Sequence, residues 1–168
     1  VNAIIDLIRQ HPGEITLVCL APMTNIAMAL RLAPDIKDKI VEVIAISVAF
    51  GLNEASFLNA TGDTPQSEWN VYVDPEATKQ VYESGLKVTA IGLDVATYFS
   101  VDFTDEDLAR LAASDKPEAK FLHQAISFVH GRGFQAYCAV IDCMAVAATA
   151  DPTLLKSVRG RVGVSTQD

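Results

Sequence analysis

The 168-residue chain has few cysteines, no block of basic residues and no glycine loop of the kind that cradles phosphates. It also lacks an apolar run of the ~18 residues that a membrane-spanning helix needs, and a signal-peptide pattern. Each absence removes a class of function. The three cysteines, Cys19, Cys138 and Cys143, are irregularly spaced, which gives neither a disulfide framework nor a zinc pattern. Their apolar surroundings predict buried free thiols in a reducing compartment, hence a cytoplasmic location. Thirteen Lys and Arg stand against 21 Asp and Glu, a formal net charge of -8, so no basic patch awaits nucleic-acid phosphates. No nucleic acid and no membrane is expected as a partner. Neither Ser47 nor Cys19 has a His and an acid at a spacing that marks a nucleophile.

What is present is a globular composition, 50% hydrophobic and 20% charged, long enough for one domain over residues 1–168 with a sizeable core. Val1–Gln10 reads as a helix. Ile15–Leu20, between Gly13 and Pro22, reads as a buried strand, followed by a helix that Thr24 would cap and that runs to about Leu32. Val41–Val48 and Lys87–Leu93 read as further strands. Between them lie a long polar segment, Ala49–Ser67, expected to be functional or mobile, and a helix from Asp74 to Gly85. Thr104 opens another helix, and Pro117 to about His130 a third, with Phe121, Ala125 and Phe128 on its core side. Asp142–Ala150 is a helix of small residues closed by Asp151 and Pro152. The alternation predicts an α/β fold, an open and mostly parallel sheet with helices on both faces. A start inside a helix and a strand-like end at Val162–Asp168 read as a part of a longer domain, incomplete at the N-terminus.

Glu68, Trp69 and Asn70 stand just ahead of a strongly signalled helix start, in which Asp74 suits the N-cap, Pro75 the first helical position and Glu76 the first turn. On an extended segment, residues two apart point to the same side. Glu68 and Asn70 would then meet neighbouring hydroxyls of one ligand as acceptor and donor, which suits a sugar better than a phosphate. The plainer alternative is a polar loop that caps a helix. In an open α/β sheet, ligands bind beyond the carboxyl ends of the strands, which brings Thr24, Asn25, Glu68, Asn70 and Asp94 to a shared rim. Asp142 lies among apolar residues, where an acid caps a helix, pairs with a cation or binds a metal. Structural or surface roles suit His11, His123 and His130.

In order along the chain, Leu20–Ala27 with Pro22, Thr24 and Asn25, then Glu68-Trp69-Asn70 with Asp74-Pro75-Glu76-Ala77, then Asp142 with Ala145, Val146, Ala147 and Asp151-Pro152 resemble the nucleoside hydrolases, over nearly the whole chain. These are the inosine-uridine-preferring and purine-specific ribonucleoside hydrolases. The resemblance implies an open α/β fold with bound Ca2+. It also implies hydrolysis of the N-glycosidic bond to ribose and free base by a Ca2+-bound water. Thr24 would offer its main-chain carbonyl and Asp142 its carboxylate to the metal, while Glu68, Trp69 and Asn70 would bind the substrate. A homo-oligomer, dimer or tetramer, is expected.

The chain departs from the family's pattern in three places. It has no Asp-x-Asp-x-x-x-Asp-Asp motif, the source of the family's catalytic base, so the chain alone is expected to be inactive and to bind calcium poorly. Ile141 stands where one subgroup has a histidine acid. Ser47-Val48 and Gly62-Asp63 replace the family's Gly-Gly and Gly-Asn. These departures leave open a non-catalytic relative that binds a nucleoside or sugar. An unrelated α/β domain is the third alternative.

Overall fold

The computed structural model describes residues 1–50, 68–96, 103–134, 136 and 140–166. Gly62-Asp63, Cys138 and most of the Ala49–Ser67 segment lie outside the described residues. The chain forms two compact units, residues 1–96 with 142–168, and residues 97–141.

Among the described residues the first unit is built on three parallel strands, β1 (Ile15–Cys19), β2 (Ile40–Ile46) and β3 (Val88–Ile91), in that order across the sheet. β2 is central. It pairs Val18 with Ile44 on one side and sets Val43 opposite Val88 and Ile46 opposite Ile91 on the other. Its run of Val and Ile fits burial on both faces, and Val43, Ile44, Ala45 and Ile46 are all buried.

Val43 and Ala45 join a core with Ile5 and Ile8 of α1 (Asn2–Gln10) and with Ile26, Ala27 and Leu30 of α2 (Thr24–Leu32). Ile36 of a 3-10 turn (Pro34–Lys39) also joins it. So do Ala77 and Val81, from a helix that follows α3 (Trp69–Val73), namely α4 (Pro75–Glu83). A short α5 (Leu93–Ala96) follows β3. Helix α8 (Cys143–Ala150), which follows α6 (Asp105–Ala113) and α7 (Pro117–His130) of the second unit in the chain, packs against β1 and β2 with Ala145 and Ala148 buried. The open parallel α/β sheet predicted from the alternation is therefore present.

Four local expectations are corrected. Thr24 does not cap α2, because the cap position is Met23 and Thr24 is the first helical residue. Glu68 and Asn70 do not share an extended segment, because α3 begins at Trp69. Residues 156–166 take no strand conformation. The buried-thiol expectation holds for Cys19 but not for Cys143, which is exposed at the start of α8.

The second unit contains α6 (Asp105–Ala113) and α7 (Pro117–His130), packed on each other. Thr104 and Asp107 form a reciprocal capping box at the start of α6. The expected core face of α7 is corrected as well: Phe121 is 72% and Phe128 60% exposed, and Ile126 is buried instead. Leu122, Ala125, Ile126 and Val129 make a second apolar stripe at helical spacing. Two stripes on one helix leave periodicity unable to choose between them. Phe128 instead carries the Arg132 guanidinium 4.4 Å above its ring. Among the described residues no helix is long and apolar enough to cross a membrane.

Candidate active site at the carboxyl rim of the sheet

The strands end at Cys19, Ile46 and Ile91, and the polar residues of interest gather just beyond the first two. Glu68 is 3% exposed and takes the N-cap position of α3 with extended backbone. Its Oε1 accepts the Asn70 N–H at 2.8 Å, and its Oε2 accepts the N–H groups of Val71 at 3.1 Å and Val48 at 3.2 Å. A carboxylate has about four acceptor sites, so three main-chain bonds fix its plane and leave Oε1 capacity for one further donor. Asn70 is anchored separately. Its Nδ2 donates to the Ile46 carbonyl at 3.0 Å, and among the described residues Oδ1 and the second N–H of the amide have no partner.

Val48 makes this arrangement possible at a conformational cost. Its φ of 73° lies in the left-handed region that favours glycine and disfavours β-branched residues. In that conformation its N–H reaches Glu68 while its carbonyl accepts the Leu93 N–H at 3.0 Å. The neighbouring Ser47 is buried, and its Oγ accepts the Tyr82 hydroxyl at 3.4 Å. Cys19 donates its thiol to the Ala21 carbonyl at 3.0 Å.

Charge on Glu68 is felt throughout this cluster. Burial is the main cause that raises its carboxyl above the ordinary range; three main-chain N–H groups oppose the rise and the Asp142 charge adds to it. Burial alone raises Asp142. Burial likewise raises the Cys19 thiol and the Tyr82 phenol, and the Glu68 charge raises each further.

Asp142 sits at the N-cap position of α8 but with helical backbone, and its side chain makes no capping bond. The plain capping role is therefore not realised, and a half-buried carboxylate beside Glu68 is left without a donor on that helix. Thr24 and Asn25 are exposed at the start of α2, and the Thr24 hydroxyl donates to Asp74 Oδ2. As the first residue of α2, Thr24 has a main-chain carbonyl that faces along the helix. Asp94 is buried and accepts the Phe50 N–H at 3.0 Å. Trp69 and Tyr72 expose a tilted ring pair, centroids 6.5 Å apart.

A hard cation asks for carboxylate and carbonyl oxygens, and an uncapped Asp142 with Thr24 are donors of that kind. Among the described residues no three His, Cys, Asp or Glu side chains form a metal cluster, so these donors make up only part of a six- to eight-oxygen shell. Tyr82, the N–H of Val48 and the second bond of Asp74 were not singled out from sequence, where Ser47 and Val48 stood out only as departures from the family pattern. Tyr82 had a signal, since it follows Thr78 and Val81 on the buried stripe of α4.

An open parallel α/β sheet with carboxylates and an anchored amide at its carboxyl rim defines the class of α/β proteins that place their ligand site beyond the carboxyl ends of the strands. The particular family follows from comparison. All of residues 1–168 match the family described as inosine-uridine preferring nucleoside hydrolase, and the chain belongs to it. The inosine-uridine preferring nucleoside hydrolase of Leishmania major is 36% identical over 168 residues, covering 98% of this chain and 50% of that protein. A probable uridine nucleosidase 1 of Oryza sativa subsp. japonica is 31% identical, covering 97% of this chain and 49% of its own length. Among solved structures, a plant nucleoside hydrolase superposes with a TM-score of 0.78 at 27% identity over 99% of this chain and 51% of that one. A purine-preferring ribonucleoside hydrolase from Gardnerella vaginalis gives 0.74 at 26% identity, over 99% and 52%. The chain thus spans about half the length of the relatives it matches.

Proposed function

We propose that the full-length protein carrying this chain hydrolyses the N-glycosidic bond of ribonucleosides to ribose and free base, with Ca2+ as cofactor. Membership of the family supports the reaction class. The observation that carries the site assignment is the uncapped Asp142 carboxylate beside the buried, rigidly held Glu68. Asp142 and the Thr24 carbonyl would hold the cation, and the remaining ligands and the catalytic base would come from outside the described residues. When bound, Ca2+ supplies a Lewis-acidic centre that lowers the pKa of a water at neutral pH.

This chain's own residues bind and orient the sugar. Oε1 of Glu68 accepts from one ribose hydroxyl, and the free Oδ1 and N–H of Asn70 meet its neighbour. Both groups are immobilised before the substrate arrives, which reduces the entropy lost on binding. The transition state resembles an oxocarbenium ion, and negative charge on Glu68 and Asp142 stabilises positive charge that develops at the ring. Trp69 offers an apolar surface beside the sugar site. A homo-oligomer and a cytoplasmic location are proposed with this reading.

One observation favours a second reading, a nucleoside-binding relative without catalysis. Ile141, half-buried next to Asp142, has no proton to give a departing base. The test is release of free base from inosine and from uridine by the full-length protein, with and without a calcium chelator. Release that the chelator abolishes is the expected result. Asp142→Ala is expected to remove calcium binding and most of the activity. Nucleoside binding without release would establish the second reading, and unchanged calcium affinity in Asp142→Ala would overturn the metal assignment.

A further inference from the structure

We infer that Asp94 is a positioning residue for Glu68: from the turn after β3, its buried carboxylate braces the main chain after β2 in the left-handed kink at Val48 that presents the Val48 N–H to Glu68. The inference rests on the hydrolase reading for what Glu68 binds, and concerns how that side chain is kept in place.

β2 and β3 go on pairing past their last strand residues. The Ser47 N–H donates to the Ile91 carbonyl at 3.2 Å, and the Leu93 N–H donates to the Val48 carbonyl at 3.0 Å. The next bond across the gap is made by a side chain, with the Phe50 N–H donating to Asp94 Oδ1 at 3.0 Å. Asp94 is 1% exposed. Burying a carboxylate is costly unless hydrogen bonds meet it, and a bond from a main-chain N–H to an ionised acid is roughly twice as strong as a neutral one.

The place where this acid is spent is informative. Val48 has φ 73°, a conformation that a β-branched residue keeps only where the surroundings over-determine it. Such bonds lie on both sides of it. Before Val48, Asn70 holds the Ile46 carbonyl and Ile91 holds the Ser47 N–H. After it, Leu93 holds the Val48 carbonyl and Asp94 holds the Phe50 N–H. If the kink relaxes, the Val48 peptide turns, and its N–H is one of the three that fix the Glu68 carboxylate. Glu68 would then be displaced from the sugar hydroxyl that it meets, and a misplacement of about 1 Å costs on the order of 100-fold in an oriented site.

Gly92 makes room for the brace. A Cβ at Gly92 would stand 2.5 Å from Asp94 Oδ1 and 2.9 Å from Phe50 Cδ2. Its φ is not positive, so the backbone there suits any residue and only the space demands glycine. Gly92→Ala therefore displaces the carboxylate or the ring while leaving Asp94 itself in the chain.

The experiment is calorimetric titration of the full-length protein with D-ribose at saturating Ca2+, with amide hydrogen exchange over residues 46–50 and thermal melting alongside. Titrations are made well below each melting temperature, where lost global stability does not change the affinity of the folded protein. Asp94→Ala and Gly92→Ala are each expected to weaken ribose binding about ten-fold or more and to speed exchange at Val48. Asp94→Asn keeps an oxygen for the Phe50 N–H and is expected to retain most of the affinity. Adding Val48→Gly to Asp94→Ala is expected to recover affinity, because glycine takes the left-handed conformation without a brace.

A lowered melting temperature with ribose affinity unchanged in Asp94→Ala would overturn the inference and leave Asp94 a purely structural acid. Asp94→Asn as weak as Asp94→Ala would also overturn it, by placing the effect in the charge and not in the bond. Should Asp94→Ala fail to fold, Gly92→Ala decides by the same readouts. If the parent neither releases base nor binds ribose, the hydrolase reading falls, and exchange at Val48 decides the brace by itself: faster in Asp94→Ala supports it, unchanged overturns it.

Discussion

At the scale of single residues, the least comfortable group in the site is Val48. The left-handed region brings Cβ close to the following carbonyl and costs about 1–2 kcal/mol for an L-residue, more awkwardly so when it is β-branched. Val48 stays there because its N–H and carbonyl are both engaged, by Glu68 and by Leu93. The comparison that isolates this strain is Val48→Gly against Val48→Ala. Both lose the valine side chain, and only glycine is relieved. Glycine is ordinarily the less stable of the two by about 0.5–1 kcal/mol in a regular element. Here the order is expected to reverse, with glycine the more stable by about 1 kcal/mol in denaturant unfolding. Alanine more stable than glycine would mean that position 48 does not hold the left-handed conformation. The site thus carries a strained residue where the family pattern, as read from sequence, has a glycine.

At the scale of elements, caps decide where helices begin. α6 opens with the Thr104 and Asp107 box: Thr104 Oγ1 accepts the Asp107 N–H at 3.1 Å and Asp107 Oδ2 accepts the Thr104 N–H at 3.0 Å. Thr104→Ala is expected to cost about 1 kcal/mol of stability, measured by chemical unfolding, and Thr104→Ser much less. Equal losses in the two would show that the methyl group and not the cap matters.

The same rules explain what was legible in the sequence. β2 was readable because a buried central strand is a run of Val and Ile, and α4 because Asp74, Pro75 and Glu76 are start signals in the right order. α3 was not, since Trp69–Val73 is rich in residues that favour extended backbone. It forms as one short helix because Glu68 caps it and Pro75 excludes helical backbone at Asp74. The site was half legible. Glu68, Asn70 and Asp142 were singled out from sequence, each beside a plainer reading as part of a helix cap, and Glu68 does cap α3. The groups that hold Glu68 were not, because the N–H of Val48, twenty positions away, has no signature in the sequence. Asp74 was read as a cap, and its bond to Thr24 depends on α2 and α4 packing side by side.

At the scale of the whole molecule, an excess of acids meets a fold that buries some of them at one rim. The chain carries a formal charge of -8, and the native structure places Glu68 beside Asp142 with burial that disfavours both charges. The native pKa of Glu68 lies above its ordinary value of 4.5. Its contribution to stability is therefore full below that ordinary value and is lost as pH rises through the native pKa. Asp35, held low by Arg9 and Lys39 on the surface, acts in the opposite sense, losing its contribution as pH falls. The parent's own pH profile sums both effects, so the informative quantity is the difference between Glu68→Gln and the parent. The glutamine fits the main-chain N–H groups less well, an offset that does not depend on pH. On top of that offset, the variant is expected to gain stability relative to the parent as pH is raised from about 4 to 8. Melting temperatures across that range, without added divalent cation, provide the measurement. A difference that stays constant would mean that Glu68 is equally content charged in the native and unfolded chain, and that the rim does not concentrate negative charge for a cation or an oxocarbenium-like sugar to meet.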